Sequence, residues 1–220
     1  MAQTSTDNTS PVPNLAFQSI IRPALAGLSN DGKSHKELRS SLNELIQAFK
    51  VAEECIPGIT QEVLAGILRA DGYSMNINEI LLRCSNTVTD NFQIERAEPE
   101  FVKLEKKANE LKTILGKIPD DIKDRTKFLQ TIKDIASAIK ELLDSVNQVL
   151  KTYQDQGRIK EYRKTLEQNK REFVKYSKSF SDTLKQYFKD QKQNSVFYSA
   201  NCLINQTNNI LLVFRMVGKN

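Results

Sequence analysis

From Asp120 to Asn220 the chain contains no proline, and that absence constrains what it can fold into more than any other feature. A proline inside a helix removes a backbone hydrogen bond and clashes with the preceding turn. The proline-free stretch carries apolar residues every three to four positions, which is the helical period. Phe128, Ile135, Leu142 and Val149 mark one face over residues 120–153, with Asp120 and Asp121 as expected caps and Gly157 as the expected stop. Phe173, Phe180 and Tyr187 mark a second face over 158–189, and Phe197, Leu203, Ile210 and Phe214 a third over 192–217. Upstream, Phe101, Leu104, Ala108 and Leu111 mark a fourth over 99–117. Short connections make sequential helices antiparallel neighbours. The expected fold class is therefore all-α, with an up-down four-helix bundle over residues 99–220.

The first half reads as shorter helices. Residues 1–13 are polar and read as a disordered lead. Leu15, Ile20, Leu25 and Leu28 keep helical spacing around Pro23, and Ser34 with Glu37 forms a capping box before the stripe Leu38, Leu42, Leu45, Phe49. Further amphipathic segments follow Pro57-Gly58 and Asn76. These helices form a unit over 14–89, and a polar linker over 90–98 ends at Pro99. Helices this short give a thin core, and their apolar stripes are broad for one copy to bury. Self-association or a helical partner is expected; a compact monomeric bundle is the alternative.

Charge divides the chain at about the same place. Residues 1–96 hold 8 Lys/Arg against 11 Asp/Glu, a net of −3, and residues 97–220 hold 24 against 16, a net of +8. A basic half raises nucleic acid as a partner. Its lysines are interspersed with acids and no zinc-finger or RNA-recognition signature accompanies them, so nucleic acid is not expected. Cys55, Cys84, Cys202 and the single His35 have no metal-ligand spacing. Neither phosphate-binding glycine loops nor hydrolase motifs occur. A non-enzymatic, cofactor-free, cytoplasmic protein is the expectation.

What remains is a pair of lysine stripes. Lys133 and Lys140 are seven apart, as are Lys178 and Lys185, so each pair shares a helix face. If the two helices are neighbours, the stripes border a groove floored by Ala136, Ile139 and Ser181. Such a groove fits an acidic amphipathic helix, leucines down and carboxylates to the rims. The alternatives are an ordinary solvated helix face and a surface for anionic lipids.

FLQTIKDIASAIKELLDSVN at 128–147, EFVKYSKSFSDTLKQYFKD at 172–190 and IERAEPEF at 94–101 resemble the programmed cell death protein 10 family of cerebral cavernous malformation adaptors. The resemblance spans about 38–217 and departs in 1–37 and 154–171. It implies an N-terminal dimerisation domain followed by a bundle like a focal-adhesion-targeting domain. It also implies a scaffold that forms a homodimer or exchanges that partner for tails of germinal-centre class III kinases. The second domain would bind leucine-aspartate helices of paxillin, malformation partner protein 2 and striatin. Phosphoinositide contact and association with Golgi and plasma membrane are implied too. On this chain the family's groove lysines fall on Lys133, Lys140, Lys178 and Lys185, with Ser181 between the last two. Its dimer positions fall on Leu45, Ala48, Ile67 and Leu68.

Overall fold

The computed structural model describes residues 11–30, 36–73, 75–84, 92–153 and 157–218, and every regular element among them is helical. The expected capping box at Ser34 lies outside the described residues. Near the N-terminus the backbone widens into a π-helical turn over Phe17–Ile21 and continues as α1, Arg22–Asn30. Pro23 has no N–H to give the turn before it, and the widened turn accommodates that loss without ending the helix. Then come α2, Lys36–Cys55, and α3, Ile59–Ala70, joined by a tight turn at Gly58. Gly58 is left-handed, at φ 93°, and a Cβ there would stand 2.3 Å from the Pro11 side chain, so only glycine fits.

The remaining elements are α4, Ile77–Cys84; α5, Pro99–Gly116; the single turn α6, Ile118–Asp121; α7, Arg125–Thr152; α8, Gly157–Asp190; and α9, Gln193–Gly218. Helices α5, α7, α8 and α9 close into a ring. The pairs α5–α7 and α8–α9 pack most closely, leaving two wider seams, α7/α8 and α5/α9. Phe101, Phe128, Phe173, Phe180, Phe197 and Phe214 are fully buried between them. Apolar residues recurring at three-, four- and seven-residue intervals along α7, α8 and α9 turn one face of each helix inward.

Two details of α7 correct the sequence reading. The expected caps Asp120 and Asp121 precede the helix, which begins after Asp124, whose carboxylate accepts from the amides of Thr126 and Lys127 at 3.0 and 3.1 Å. Asp121 instead accepts from the Thr131 hydroxyl at 2.6 Å. At the other end α7 stops at Thr152, and Gly157 is the first residue of α8. Gly157 thus belongs to α8 and is not the stop of α7.

Helix α4 lies over the α5/α9 seam. Leu81 and Leu82 are fully buried, the Asn78 amide donates to Asn194 Oδ1 at 3.0 Å, and the Asn201 amide donates to the Asn78 carbonyl at 2.8 Å. Residues 92–98 form no long regular element and lie along the bundle, with a tight turn where the Arg96 amide donates to the Ile94 carbonyl at 2.7 Å. Phe92 and Ile94 are buried, the Ile94 amide donates to Glu105 at 2.9 Å, and the Arg96 guanidinium stacks 4.4 Å from the Phe101 ring. The polar segment is thus fastened to the bundle over its described length.

Candidate functional site

The α7/α8 seam is an open groove of about 500 Å³ lined by Ala136, Ile139 and Leu143 from α7 and by Val174, Ser177, Lys178, Ser181, Asp182 and Lys185 from α8. Of the seven residues expected at a partner groove, the structure brings Ala136, Ile139, Lys178, Ser181 and Lys185 together. Lys133 and Lys140 are exposed on the same helix as Ala136 and Ile139 but do not line the hollow itself. The small side chains at Ala136 and Ser181 set the depth, because larger ones would fill the seam. Ile139 is half-buried and supplies apolar floor. Lys185 pairs with Asp182 at 2.8 Å in full contact with water, an attachment worth little and easily exchanged for another carboxylate.

Sequence reasoning missed Leu143, Val174 and Ser177. A signal for the first two was present: Leu143 stands seven residues after Ala136, and Val174 seven before Ser181.

A second surface lies on α2 and α3. Leu45 is 44% exposed, Ile67 53% exposed, Ala48 is exposed and Leu68 half-buried. Leu38, Val51 and Val63 are exposed as well. This much apolar surface on two adjacent helices is beyond the scattered single residues of an ordinary exterior.

Behind that face, Glu53 is 2% exposed and gathers the surrounding donors. Its carboxylate accepts from the amides of Asn14 and Gly58, both at 2.7 Å, and from the Thr60 amide at 3.1 Å and hydroxyl at 2.6 Å. Burial pushes this carboxyl up, but the Thr60 hydroxyl and the three amides outweigh it and hold the group below the ordinary glutamate range. Gln61 Oε1 accepts from the Val12 amide at 3.1 Å. Together they clasp residues 12–14 to the α2–α3 turn, just before Leu15 and Phe17 enter the core. The carboxylate also supplies the α3 N-terminus with the acceptor that Gly58 lacks.

Residues 9–74 match the family described as programmed cell death protein 10, dimerisation domain, and residues 75–167 match programmed cell death protein 10, C-terminal. The chain belongs to the programmed cell death protein 10 family. A Caenorhabditis elegans protein, "Programmed cell death protein 10 homolog", is 34% identical over 200 residues, covering 90% of this chain and 91% of that one. The dimerisation domain of the family thus contains α1–α3 and with them the exposed apolar face. The match to the C-terminal region opens just before α4, the helix that packs on α5 and α9. Among the described residues no helix is long and apolar enough to cross a membrane.

Proposed function

We propose that the chain is a non-enzymatic adaptor with two helix-recognition surfaces, one on each family domain. The α7/α8 groove carries this reading. Its floor is apolar and small, and its rim is cationic. That combination suits an acidic helix whose leucines descend between α7 and α8 while carboxylates meet Lys178 and Lys185, with Lys133 and Lys140 behind the α7 edge. Leucine-aspartate helices of the kind attributed to paxillin, malformation partner protein 2 and striatin have this chemistry. The α2/α3 face pairs with a second copy through Leu45, Ala48, Ile67 and Leu68, or exchanges that copy for a germinal-centre class III kinase tail. We put the boundary between the two units before α4, which packs on α9 and α5, instead of at residue 90.

Calorimetric titration with an acidic, leucine-rich peptide tests the groove. Exposed ion pairs contribute about 0–1 kcal/mol each, so no single lysine abolishes binding. Changing Lys133, Lys140, Lys178 and Lys185 together to Glu converts attraction into repulsion and removes measurable binding at unchanged helicity. Unaltered affinity in that variant returns the lysines to a solvated face.

A lipid-binding reading draws on a different observation. Arg171, Lys175 and Lys178 line an open hollow on the outer side of α8. Sedimentation with vesicles containing anionic lipid separates the two: retention by the Arg171→Glu, Lys175→Glu variant points to the groove, loss to α8.

A further inference from the structure

The two walls of the α7/α8 groove carry one side-chain pattern at one spacing. On α7, Leu129, Lys133, Ala136, Lys140 and Leu143 follow at intervals of four, three, four and three. On α8, Val174, Lys178, Ser181, Lys185 and Phe188 follow at the same intervals. Each wall reads large apolar, lysine, small, lysine, large apolar. At 3.6 residues per turn such intervals keep all five on a single stripe roughly 80° wide.

The helices run antiparallel in a register that several contacts fix. Lys170 Nζ donates to Asn147 Oδ1 at 3.2 Å, and the Phe128 and Tyr187 rings lie 5.5 Å apart, so a step forward on α7 is a step back on α8. That register sets Ala136 opposite Ser181, Leu143 opposite Val174, and Leu129 opposite Phe188. The first two pairs line the same hollow. The third pair stands one step further along the same two helices, outside the hollow: Leu129 is 42% and Phe188 41% exposed, at the end where Phe188 packs 6.1 Å from Phe128. A half-turn about an axis between Ala136 and Ser181 therefore carries one wall onto the other, lysines onto lysines.

We infer that this groove takes an acidic, leucine-rich helix in both directions, and that the Leu129/Phe188 rung selects between them. The inference rests on the helix-binding reading of the same groove. From Leu129 to Leu143 the α7 stripe extends about 21 Å, the length of a helix of roughly 14 residues. A ligand with leucines three and four residues apart presents nearly the same knobs after reversal, and the lysines stay where its carboxylates need them. The walls differ at the lysines, since Lys178 and Lys185 line the hollow and Lys133 and Lys140 stand outside it, and they differ again at the ends. One rung is aliphatic, Leu143/Val174, and the other ends in an aromatic ring. A ligand with an aromatic or long apolar residue at one terminus therefore places that terminus on Phe188.

Electron-electron dipolar spectroscopy on the full chain reads the orientation directly. Cys55→Ser, Cys84→Ser and Cys202→Ala clear the native thiols, and Lys192→Cys holds a nitroxide near the Phe188 end, with circular dichroism confirming an unchanged fold. The probe is a capped synthetic helix of roughly 14 residues with leucines at three- and four-residue spacing between glutamates, labelled at one terminus. Two distance populations are expected, differing by about the helix length, near 20 Å. A tryptophan at the unlabelled terminus shifts the ratio at least threefold toward the longer distance, and Phe188→Ala abolishes that shift. The Lys133, Lys140, Lys178, Lys185→Glu variant loses both populations. A single distance in the parent and in the Phe188→Ala variant, with binding intact, overturns two-way docking. Two populations insensitive to both the tryptophan and Phe188→Ala overturn the role of the rung. Absence of binding to the parent overturns the groove reading, and this inference with it.

Discussion

Glu53 is the residue whose loss should hurt the dimerisation domain most for its size. In Glu53→Ala the amides of Asn14, Gly58 and Thr60 and the Thr60 hydroxyl lose their acceptor at once. A hydrogen bond to a charged group contributes about 1.5–3 kcal/mol, and a buried donor left unpaired costs about 1–3 kcal/mol. Four such bonds to one carboxylate are not additive, since water can enter the space the side chain leaves. A total of about 3–5 kcal/mol, the range for breaking a buried charged network, is the working figure. Set against a typical stability of about 5–15 kcal/mol, that is a large fraction, and it lowers Tm by about 10 °C. Glu53→Gln keeps the volume but offers one acceptor oxygen and one NH₂ where donors already converge, so about half the loss is expected.

Urea unfolding followed by circular dichroism, at one protein concentration throughout, measures this. Concentration matters because dimerisation adds to apparent stability. Because the folded carboxyl is held below its ordinary value of 4.5, its contribution is fully present above that pH and is lost as pH falls through the folded value. The parent should therefore lose stability in that acid range more steeply than Glu53→Gln. A Glu53→Ala protein within about 1 kcal/mol of the parent at pH 7 would refute the clasp. Residues 12–17 would then be held by the burial of Leu15 and Phe17 alone.

Asp at Leu45, Ala48, Ile67 and Leu68 together buries charge in any pairing of the α2/α3 faces, and light scattering should report a monomer with intact helicity. A dimer that survives all four changes places the interface on another face. Lys112 is 3% exposed and lies 5.2 Å from the Phe92 ring; desolvation, opposed by Glu105, pushes it down to about 8 from 10.5. Below about 8 the native state must hold a buried charge that the unfolded chain holds in water, so stability should climb as pH rises from about 8 to 10.5. Lys112→Met should gain up to about 3 kcal/mol at pH 7 and flatten that climb. A less stable Met variant would mean that the stacking on Phe92 outweighs desolvation.

How far the sequence could carry these conclusions differs by element. The bundle was readable because Phe128, Ile135, Leu142 and Val149 repeat at seven over a stretch without proline, and nothing local contradicts that period. The cap of α7 was misplaced because Asp120, Asp121 and Asp124 are equally good caps in isolation. The choice falls to Asp124 because Ile118 and Ile122 are buried, which turns residues 118–121 into a separate helical turn. The seat of α4 was not readable either. Its apolar residues fit any helical partner, and only the tertiary meeting of Asn78 with Asn194 and Asn201 assigns them to the bundle. Glu53 looked like one more solvated acid on an amphipathic helix. What makes it central is the return of the chain at Asn14 and the left-handed turn at Gly58, a convergence over 39 residues of sequence that no periodicity encodes.

The groove stands between these cases. Its lysines and small residues are visible as a seven-residue recurrence in each helix taken alone, yet such a recurrence is also what any solvated stripe beside a core looks like. The pairing of the two stripes decides between these readings. Antiparallel packing sets Ala136 against Ser181, and because both positions are small the seam stays open where a pair of leucines would have closed it. Lysines flanking an open apolar seam are a different object from lysines flanking a sealed one. Their charge sits beside surface that still has to be covered, so a ligand gains burial and ion pairing in one docking step. The same argument says what would silence the site without touching a charge. Ala136→Leu with Ser181→Leu fills the floor and leaves every lysine in place. Calorimetry should then show binding of the acidic peptide weakened at least tenfold while the bundle becomes no less stable. If affinity is instead maintained, the lysines alone attract the ligand and the groove between them is incidental.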